Sequence, residues 1–329
     1  MLTIVIRTGA VFAASLMLAA CQTAATRAPT AVTEPTATTQ ELADDNFKAV
    51  LWQQTAAEYQ ALALQVYQRA DQALAAAIAD PQWNALDASE RPAAAAGDGI
   101  AIIADIDETL LDNSAFSVRQ MREPMPADLT PAAARVEFER RWREWALEAQ
   151  ATAMPGAAEF MQRAVKLPKV EVFYLSNRRD EEKAATCQNL LAAGFPVPGC
   201  ATHVLTRNDA EGRLKDKVSR RQAVAQQARV VLLFGDNLGD FIGNIETTID
   251  ERAVIVQAHK DWWGSRWWIL PNPGYGSWEN ILGRVTGRAD DFADAAARTA
   301  WLRQQKERLL KDCRVPDCRP KPSQPGDAR

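Results

Sequence analysis

The 329-residue chain predicts an α/β fold: a parallel sheet with helices on both faces and a smaller, mainly helical unit attached. Three observations carry that prediction. Residues 100–104, 170–175 and 230–234 are short apolar runs rich in β-branched side chains, as strands buried on both faces require. The intervening segments repeat apolar residues at helical spacing, and strands alternating with helices imply parallel neighbours joined by crossovers. Each run also ends in a polar cluster, at the carboxyl edge where open α/β sheets bind ligands. These clusters are Asp105-Ile106-Asp107-Glu108-Thr109, Ser176-Asn177-Arg178 and Gly235-Asp236-Asn237-Leu238-Gly239-Asp240.

Residues 1–20 stand apart from the fold. Arg7 supplies a positive start, residues 11–20 are apolar, and Leu18-Ala19-Ala20-Cys21 ends them with small residues. The pattern is that of an export signal, too short and wrongly flanked to span a bilayer. Cys21 directly after Ala20 makes it resemble a bacterial lipoprotein signal, in which Cys21 becomes the lipidated N-terminus. An ordinary export signal with an incidental cysteine is the rival. Gln22, not Asp, follows the cysteine, which by the usual sorting rule points to the outer membrane, facing the periplasm or the surface. Several acyl chains on one residue would anchor stably where a single chain would not. Residues 21–40 are mainly Thr, Ala and Pro and read as a flexible tether, and residues 313–329 as an unpacked Pro-rich tail. The 41–312 segment between them, about 270 residues, suffices for one large domain or a core with a smaller unit.

Within that segment, Trp52, Ala56, Tyr59, Ala63, Val66 and Tyr67 recur at helical spacing, predicting a helix over 41–79 that Pro81 stops. The first strand follows and ends at Asp105. Pro131 opens a helix over 131–148 with Phe138, Trp142 and Trp145 on one side, and Pro155-Gly156 breaks into another over 157–166. After the strand at 170–175, a helix over 180–193 closes at Gly194. A short strand is expected at 202–205, a helix at 216–227, the apolar strand at 230–234, and a last strand at 253–256.

The formal net charge is −4, and loss of residues 1–20 removes one further positive charge, Arg7. With no basic stripe, a nucleic-acid polymer is excluded as partner. Cys187, Cys200, Cys313 and Cys318 remain after Cys21. In an oxidising compartment, Cys187–Cys200 and Cys313–Cys318 are candidate bridges. The rival, a zinc site, lacks a histidine at ligand spacing, since neither His203 nor His259 lies suitably near.

The polar clusters carry the chemistry. Asp105 and Asp107, two apart at a strand end, point the same way, so one can attack phosphorus while the other manages the proton. Ser176 and Asn177 can donate hydrogen bonds to phosphoryl oxygens. Lys215 or Lys217 could neutralise both phosphate and nucleophile. Asp236 and Asp240 after a glycine turn suit a hard divalent cation such as Mg²⁺, which takes oxygen ligands and keeps several waters. Four clustered aspartates without a cation would repel strongly. No Walker loop, no G-x-S-x-G elbow and no histidine in an Arg-His-Gly context is present, which speaks against the corresponding hydrolases.

The order D-x-D-x-T, Ser-Asn, Lys, G-D-x-x-x-D resembles the haloacid dehalogenase (HAD)-like superfamily of phosphotransferases. Asp105-Ile-Asp-Glu-Thr-Leu-Leu-Asp-Asn-Ser114, Leu175-Ser-Asn-Arg178, Gly235-Asp-Asn-Leu-Gly-Asp-Phe241 and Leu270-Pro-Asn-Pro-Gly-Tyr-Gly-Ser-Trp278 bring the match closer. They resemble the class C acid phosphatases, the bacterial outer-membrane lipoprotein 5′-nucleotidases. The resemblance implies a Rossmann-like sheet with helical cap parts at about 41–95 and 113–155. It implies Asp105 as nucleophile through an aspartyl-phosphate, and Asp107 as the acid/base. Thr109, Ser176, Asn177 and Lys217 match the phosphate shell, Lys217 being preferred over Lys215 because its distance to Arg220 fits K-x-x-R. For Mg²⁺ it implies Asp105, the Asp107 carbonyl and Asp236, with Asp240 supporting. Trp142 and Tyr275 match aromatics that sandwich a nucleobase, and stacking tolerates any base. A homodimer is also implied. The expected activity is acid hydrolysis of nucleoside 5′-monophosphates and other phosphomonoesters; a sugar-phosphate enzyme of the same superfamily and a non-catalytic binding lipoprotein are the alternatives.

Overall fold

A buried strand, β1 (Gly99–Ala104), can run through the middle of a sheet because each of its faces is apolar. Ile100, Ile102 and Ala104 face one core and Ala101 and Ile103 the other, as the two-residue period of a strand demands. The computed structural model describes residues 46–93, 97–284 and 292–310. The export signal, Cys21, the tether, Cys313, Cys318 and the Pro-rich tail lie outside the described residues.

The other strands are β2 (Leu111–Asp112), β3 (Thr152–Ala153), β4 (Val170–Arg179), β5 (Val204–Arg207), β6 (Ala228–Gly235) and β7 (Trp267–Ile269). Five of them form one parallel sheet in the order β5-β4-β1-β6-β7. The chain steps outward from β1 through β4 to β5, then returns to the other side for β6 and β7. The carboxyl ends of β1, β4 and β6 therefore meet at a switch in direction, which opens a crevice. β2 and β3 pair antiparallel outside the sheet. Ala104 sits level with Tyr174 on one side and Phe234 on the other, so the polar clusters begin at a common height.

The helices Ala57–Ala79 and Ala157–Ala164 cover the first face. Tyr59, Ala63, Tyr67, Ala70, Leu74 and Ala77 form the buried stripe of the long helix. Tyr67 stacks on Phe234 at 5.5 Å between centroids, and its hydroxyl donates to the Thr109 carbonyl at 2.6 Å. The helix Val218–Ala225 covers the second face with Val224 and Ala225.

The sheet and its two helical layers agree with the sequence reading, with several differences. The segment expected as one helix over 41–79 breaks at Ala56, whose ψ is 125°, into Phe47–Thr55 and Ala57–Ala79. The expected strand at 202–205 shifts to Val204–Arg207, because residues 200–203 make a helical turn. Residues 253–256 are not a strand but lie in the helix Ile249–Ala258. Four apolar residues alone do not distinguish the two states. The deciding signal is the start: Thr248 Oγ1 accepts from Glu251 N at 3.2 Å while the Glu251 carboxylate accepts from Thr248 N at 3.0 Å. The sheet is completed instead by Trp267 and Trp268 of β7, both buried. The helices Ser277–Arg284 and Ala295–Leu309 were not anticipated.

Cys187 and Cys200 form a disulfide with Cα atoms 5.9 Å apart, tying the helix Lys183–Ala192 to that turn; the zinc reading does not apply to this pair.

One buried ion pair clamps the second face. Arg221 donates from Nε to Glu90 Oε2 at 2.6 Å and from a terminal nitrogen to Oε1 at 2.8 Å. Gly243 N also donates to Glu90, and Arg221 reaches the Gly239 carbonyl at 2.8 Å. Removing one partner leaves a buried charge without its counter-charge. Glu90→Ala should thus lower unfolding free energy by about 3–5 kcal/mol, read by urea denaturation. A loss below about 1 kcal/mol would show that the clamp contributes little.

Candidate active site

Asp105 continues β1 by one residue, its N–H donating to the Phe234 carbonyl of β6 at 3.0 Å. The chain then turns sharply. Leu110 and Leu111 N–H donate to the Ile106 carbonyl, and Glu108 adopts a left-handed backbone with φ 58°. Such a conformation disfavours a side-chain-bearing residue and tends to concentrate at functional sites. The turn buries Asp105, Glu108 and Thr109 beneath the crevice, leaving Asp107 at its edge.

Lys217 precedes the helix Val218–Ala225 and also has positive φ, 61°. Its buried ammonium donates to Asp105 Oδ1 and, at 2.6 Å, to Asp240 Oδ1. Lys215 is exposed. Asp240 reaches the lysine by folding over Gly235: a Cβ there would lie 2.3 Å from Asp240 Cβ, so only glycine fits. Its second oxygen accepts from Asn237 N at 2.9 Å.

Asp236 accepts from Asn272 Nδ2 at 2.8 Å and from Thr109 Oγ1 at 3.4 Å. Ligand oxygens of Asp105, Asp236 and Asp240 lie within 4.8 Å of one another. Burial, the Asp240 charge and the Asp107 charge push the Asp105 pKa up to about 7, against the pull of Lys217. Burial and the charges of Asp240 and Asp105 hold Asp236 far above the carboxylate range. Burial alone would lower the Lys217 pKa, yet Asp105 and Asp240 outweigh it and raise it. Three carboxyl groups thus share one ammonium, and this set of oxygen donors, whose ionised forms repel one another, fits a hard divalent cation.

The Asp107 carboxylate belongs to a different set. Arg178, with a fully buried side chain, donates to it from Nε at 3.1 Å and from a terminal nitrogen at 2.8 Å. Asn113 Nδ2 adds a bond at 3.0 Å and Ser176 Oγ one at 3.2 Å. The carboxylate oxygens that could hold a cation come from Asp105, Asp236 and Asp240, so Asp107 would contribute only through its backbone.

Of the expected site residues, Asp105, Asp107, Thr109, Ser176, Lys217, Asp236 and Asp240 come together. Asn177 does not point inward. β4 runs on to Arg179 instead of ending at Leu175, so alternation buries Ser176 and Arg178 and leaves Asn177 exposed. Its Oδ1 accepts from the buried Arg220 at 2.7 Å. Ring positions fall on the Asp107 side. Half-buried Trp142 lies 5.7 Å from the Arg178 guanidinium and edge-on to Phe116, while Tyr275, partly exposed, donates its hydroxyl to Glu108. Sequence reasoning missed Arg178, Asn113, Glu108 and Asn272. The first was hidden by ending the strand at 175; the others stand inside the motifs beside residues whose chemistry is more obvious.

A family profile described as "HAD superfamily, subfamily IIIB (Acid phosphatase)" matches residues 7–278. The chain belongs to this family. It is similar to solved structures of the class C acid phosphatase from Bacillus anthracis, one of them with tungstate bound. Each is 30% identical, covers 82% of this chain and 97% of that chain, and superposes with a TM-score of 0.65. The protein is accordingly a class C acid phosphatase of the HAD superfamily, a phosphoric monoester hydrolase acting on small phosphoesters. HAD phosphatases generally use a divalent metal, and Asp105, Asp236 and Asp240 could hold one.

Crowded carboxylates make a thermal prediction. Asp236→Asn should raise the melting temperature without divalent cation, since folding no longer has to hold a carboxyl whose ionised form burial and the Asp240 and Asp105 charges disfavour. The same variant should lose most of the stabilisation that cation gives the parent, about 2.7 kcal/mol at a hundredfold excess over Kd. Equal cation-induced shifts in both proteins would remove Asp236 from the cation site.

Proposed function

We propose that the enzyme is an Mg²⁺-dependent acid phosphatase that prefers nucleoside 5′-monophosphates and works through an aspartyl-phosphate on Asp105. The observation that carries this reading is the buried contact of Asp105 with Lys217, beside Asp236 and Asp240 but apart from the Arg178-held Asp107. Two carboxyl groups of one turn thereby meet opposite surroundings, as a nucleophile and a proton carrier need.

Mg²⁺ held by Asp105, Asp236 and the Asp107 carbonyl would supply charge neutralisation for the phosphoryl oxygens. Lys217 adds positive charge from a fixed position, with Asp240 holding it in place. Thr109 and Ser176 line the phosphate position, and Asn177 joins them only by releasing Arg220. Asp105 attacks phosphorus, the bond to the ester oxygen breaks, and that oxygen takes a proton from Asp107. Water then attacks the aspartyl-phosphate, gives its proton to Asp107, and releases phosphate with Asp105 restored. Tungstate, a tetrahedral oxyanion like phosphate, is bound in a similar enzyme, which agrees with an oxyanion site.

Trp142 and Tyr275 give the leaving group its platform. Both flank the Asp107 side, where a departing nucleoside oxygen must be protonated, and their faces would stack on any base. Attachment to the outer membrane through a lipid on Cys21 belongs to the same proposal, as does a homodimer, for which size-exclusion with light scattering is the test.

Asp105→Asn should abolish turnover of every substrate, and no phosphoenzyme should be trapped on acid quench; residual turnover within tenfold of the parent would refute the nucleophile. Tyr275→Ala should raise KM for nucleoside monophosphates at least tenfold while changing it for p-nitrophenyl phosphate less than about twofold, since a base stack contributes about 1–3 kcal/mol. Equal changes for both would remove the stacking idea. Cys21→Ser should move activity from the membrane pellet to the soluble fraction; activity that stays in the pellet would rule out this anchor.

A further inference from the structure

Asn113 closes the turn that begins at Asp105, and its fully buried side chain has a partner at every polar atom. The Trp145 indole can only donate, and its Nε1 lies 2.7 Å from one amide atom, which must therefore be Oδ1. Arg178 donates to the same oxygen at 3.4 Å. The amide nitrogen is thereby directed at two carboxyl groups, Asp107 Oδ1 at 3.0 Å and Glu108 Oε2 at 3.4 Å. The Asn113 backbone N–H holds Glu108 Oε1 at 3.0 Å, and Glu108 also receives the Tyr275 hydroxyl. No other side chain of this size offers an acceptor to an indole and a donor to two carboxyl groups at once. Aspartate lacks the donor, and leucine lacks both.

From this arrangement we infer that Asn113 is a positioning residue: pinned by Trp145 and Glu108, it sets the Asp107 carboxyl where the leaving oxygen must collect its proton. The inference rests on the proposed acid role of Asp107. Asn113 touches no reacting atom, and it works by narrowing the rotamers of a carboxyl whose other partners, Arg178 and Ser176, come from β4. Because Trp145 lies one turn from Trp142 on the helix Pro131–Glu148, the same amide also joins the acid to the helix that carries the base platform. A misplacement of about 1 Å in such a group can lower a rate by about a hundredfold.

The test uses kcat/KM, which reports steps only as far as leaving-group departure and is blind to the shared second half of the reaction. Asn113→Ala is compared with the parent on a nucleoside monophosphate, whose alkoxide must be protonated, and on 2,4-dinitrophenyl phosphate, whose phenolate departs unaided. The expected result is a loss of at least thirtyfold for the nucleotide and under about threefold for the aryl ester, in line with the 10²–10⁴ of general acid catalysis. Should that variant fold poorly, Asn113→Leu with Trp145→Phe removes both ends of the indole bond, so no indole N–H is left orphaned, and the same split is expected. Equal losses on both substrates, or none on either, would overturn the inference. Asp107→Asn serves as the reference: if it shows no split, the acid role itself fails, whereas a split there without one at Asn113 refutes the positioning role alone.

Discussion

The constraint on which the rest depends is electrostatic. Asp105, Glu108 and Asp240 are buried in one crevice with Asp107 and Asp236 at its edge, and the side-chain cations that touch them there are Lys217 and Arg178. The two are divided without overlap. Lys217 serves Asp105 and Asp240; Arg178 serves Asp107. Asp236 and Glu108 are left with neutral donors, Asn272 and Thr109 for the first, Asn113 and Tyr275 for the second. A buried carboxyl held only by neutral donors favours its protonated form, and both pKa values are pushed far up by burial first and neighbouring charge second. The carboxyls without a cation partner are thus Asp236 on the Lys217 side and Glu108 on the Arg178 side, and it is Asp236 that lies among the oxygens of Asp105 and Asp240, where an added cation would be most useful.

That partition explains two features of the backbone that local preference opposes. Glu108 and Lys217 both take left-handed conformations, at a cost on the order of 1–3 kcal/mol each. In the first case the turn sets Asp107 against Arg178 and Asn113, and Glu108 against Asn113 and Tyr275; in the second the ammonium reaches Asp105 and Asp240. The scaffold that holds these positions is stiff. Tyr67 fixes the Thr109 carbonyl from the first face, while the Glu90–Arg221 pair braces the Gly239 and Gly243 segment from the second.

How much of this was legible in the sequence follows from what each residue depends on. Asp105, Asp107, Asp236 and Asp240 could be read because they terminate strongly apolar strands, and strand ends share an edge. Lys217 could be preferred over Lys215 only through resemblance. Arg178 could not be seen as an inward group without knowing that β4 extends four residues further, since the period of two then reverses which of 176–179 are buried. Asn177 was misdirected by the same error. The strand expected at 253–256 failed because a four-residue apolar run carries no period, while β7 was concealed within a tryptophan cluster. Asn113 and Glu108 depend on contacts between distant elements, and one sequence carries no trace of those.

The two halves of the crevice differ in what they are built from, and this bears on how such a site diversifies. The nucleophile and cation side is assembled from β1, β6 and the Asn272 loop, all tied to the central sheet. The acid side is assembled from Asn113, Trp145 and Trp142, which lie in the long excursion between β1 and β4, with only Ser176 and Arg178 coming from the sheet. Changes in that excursion can therefore reshape the leaving-group platform while the phosphoryl chemistry stays anchored. The exception is Tyr275, whose loop buttresses Asp236 through Asn272 and whose hydroxyl reaches Glu108 on the other side. A change in that loop would be felt in both halves at once, so leaving-group preference should vary more freely through Trp142 and its helix than through Tyr275.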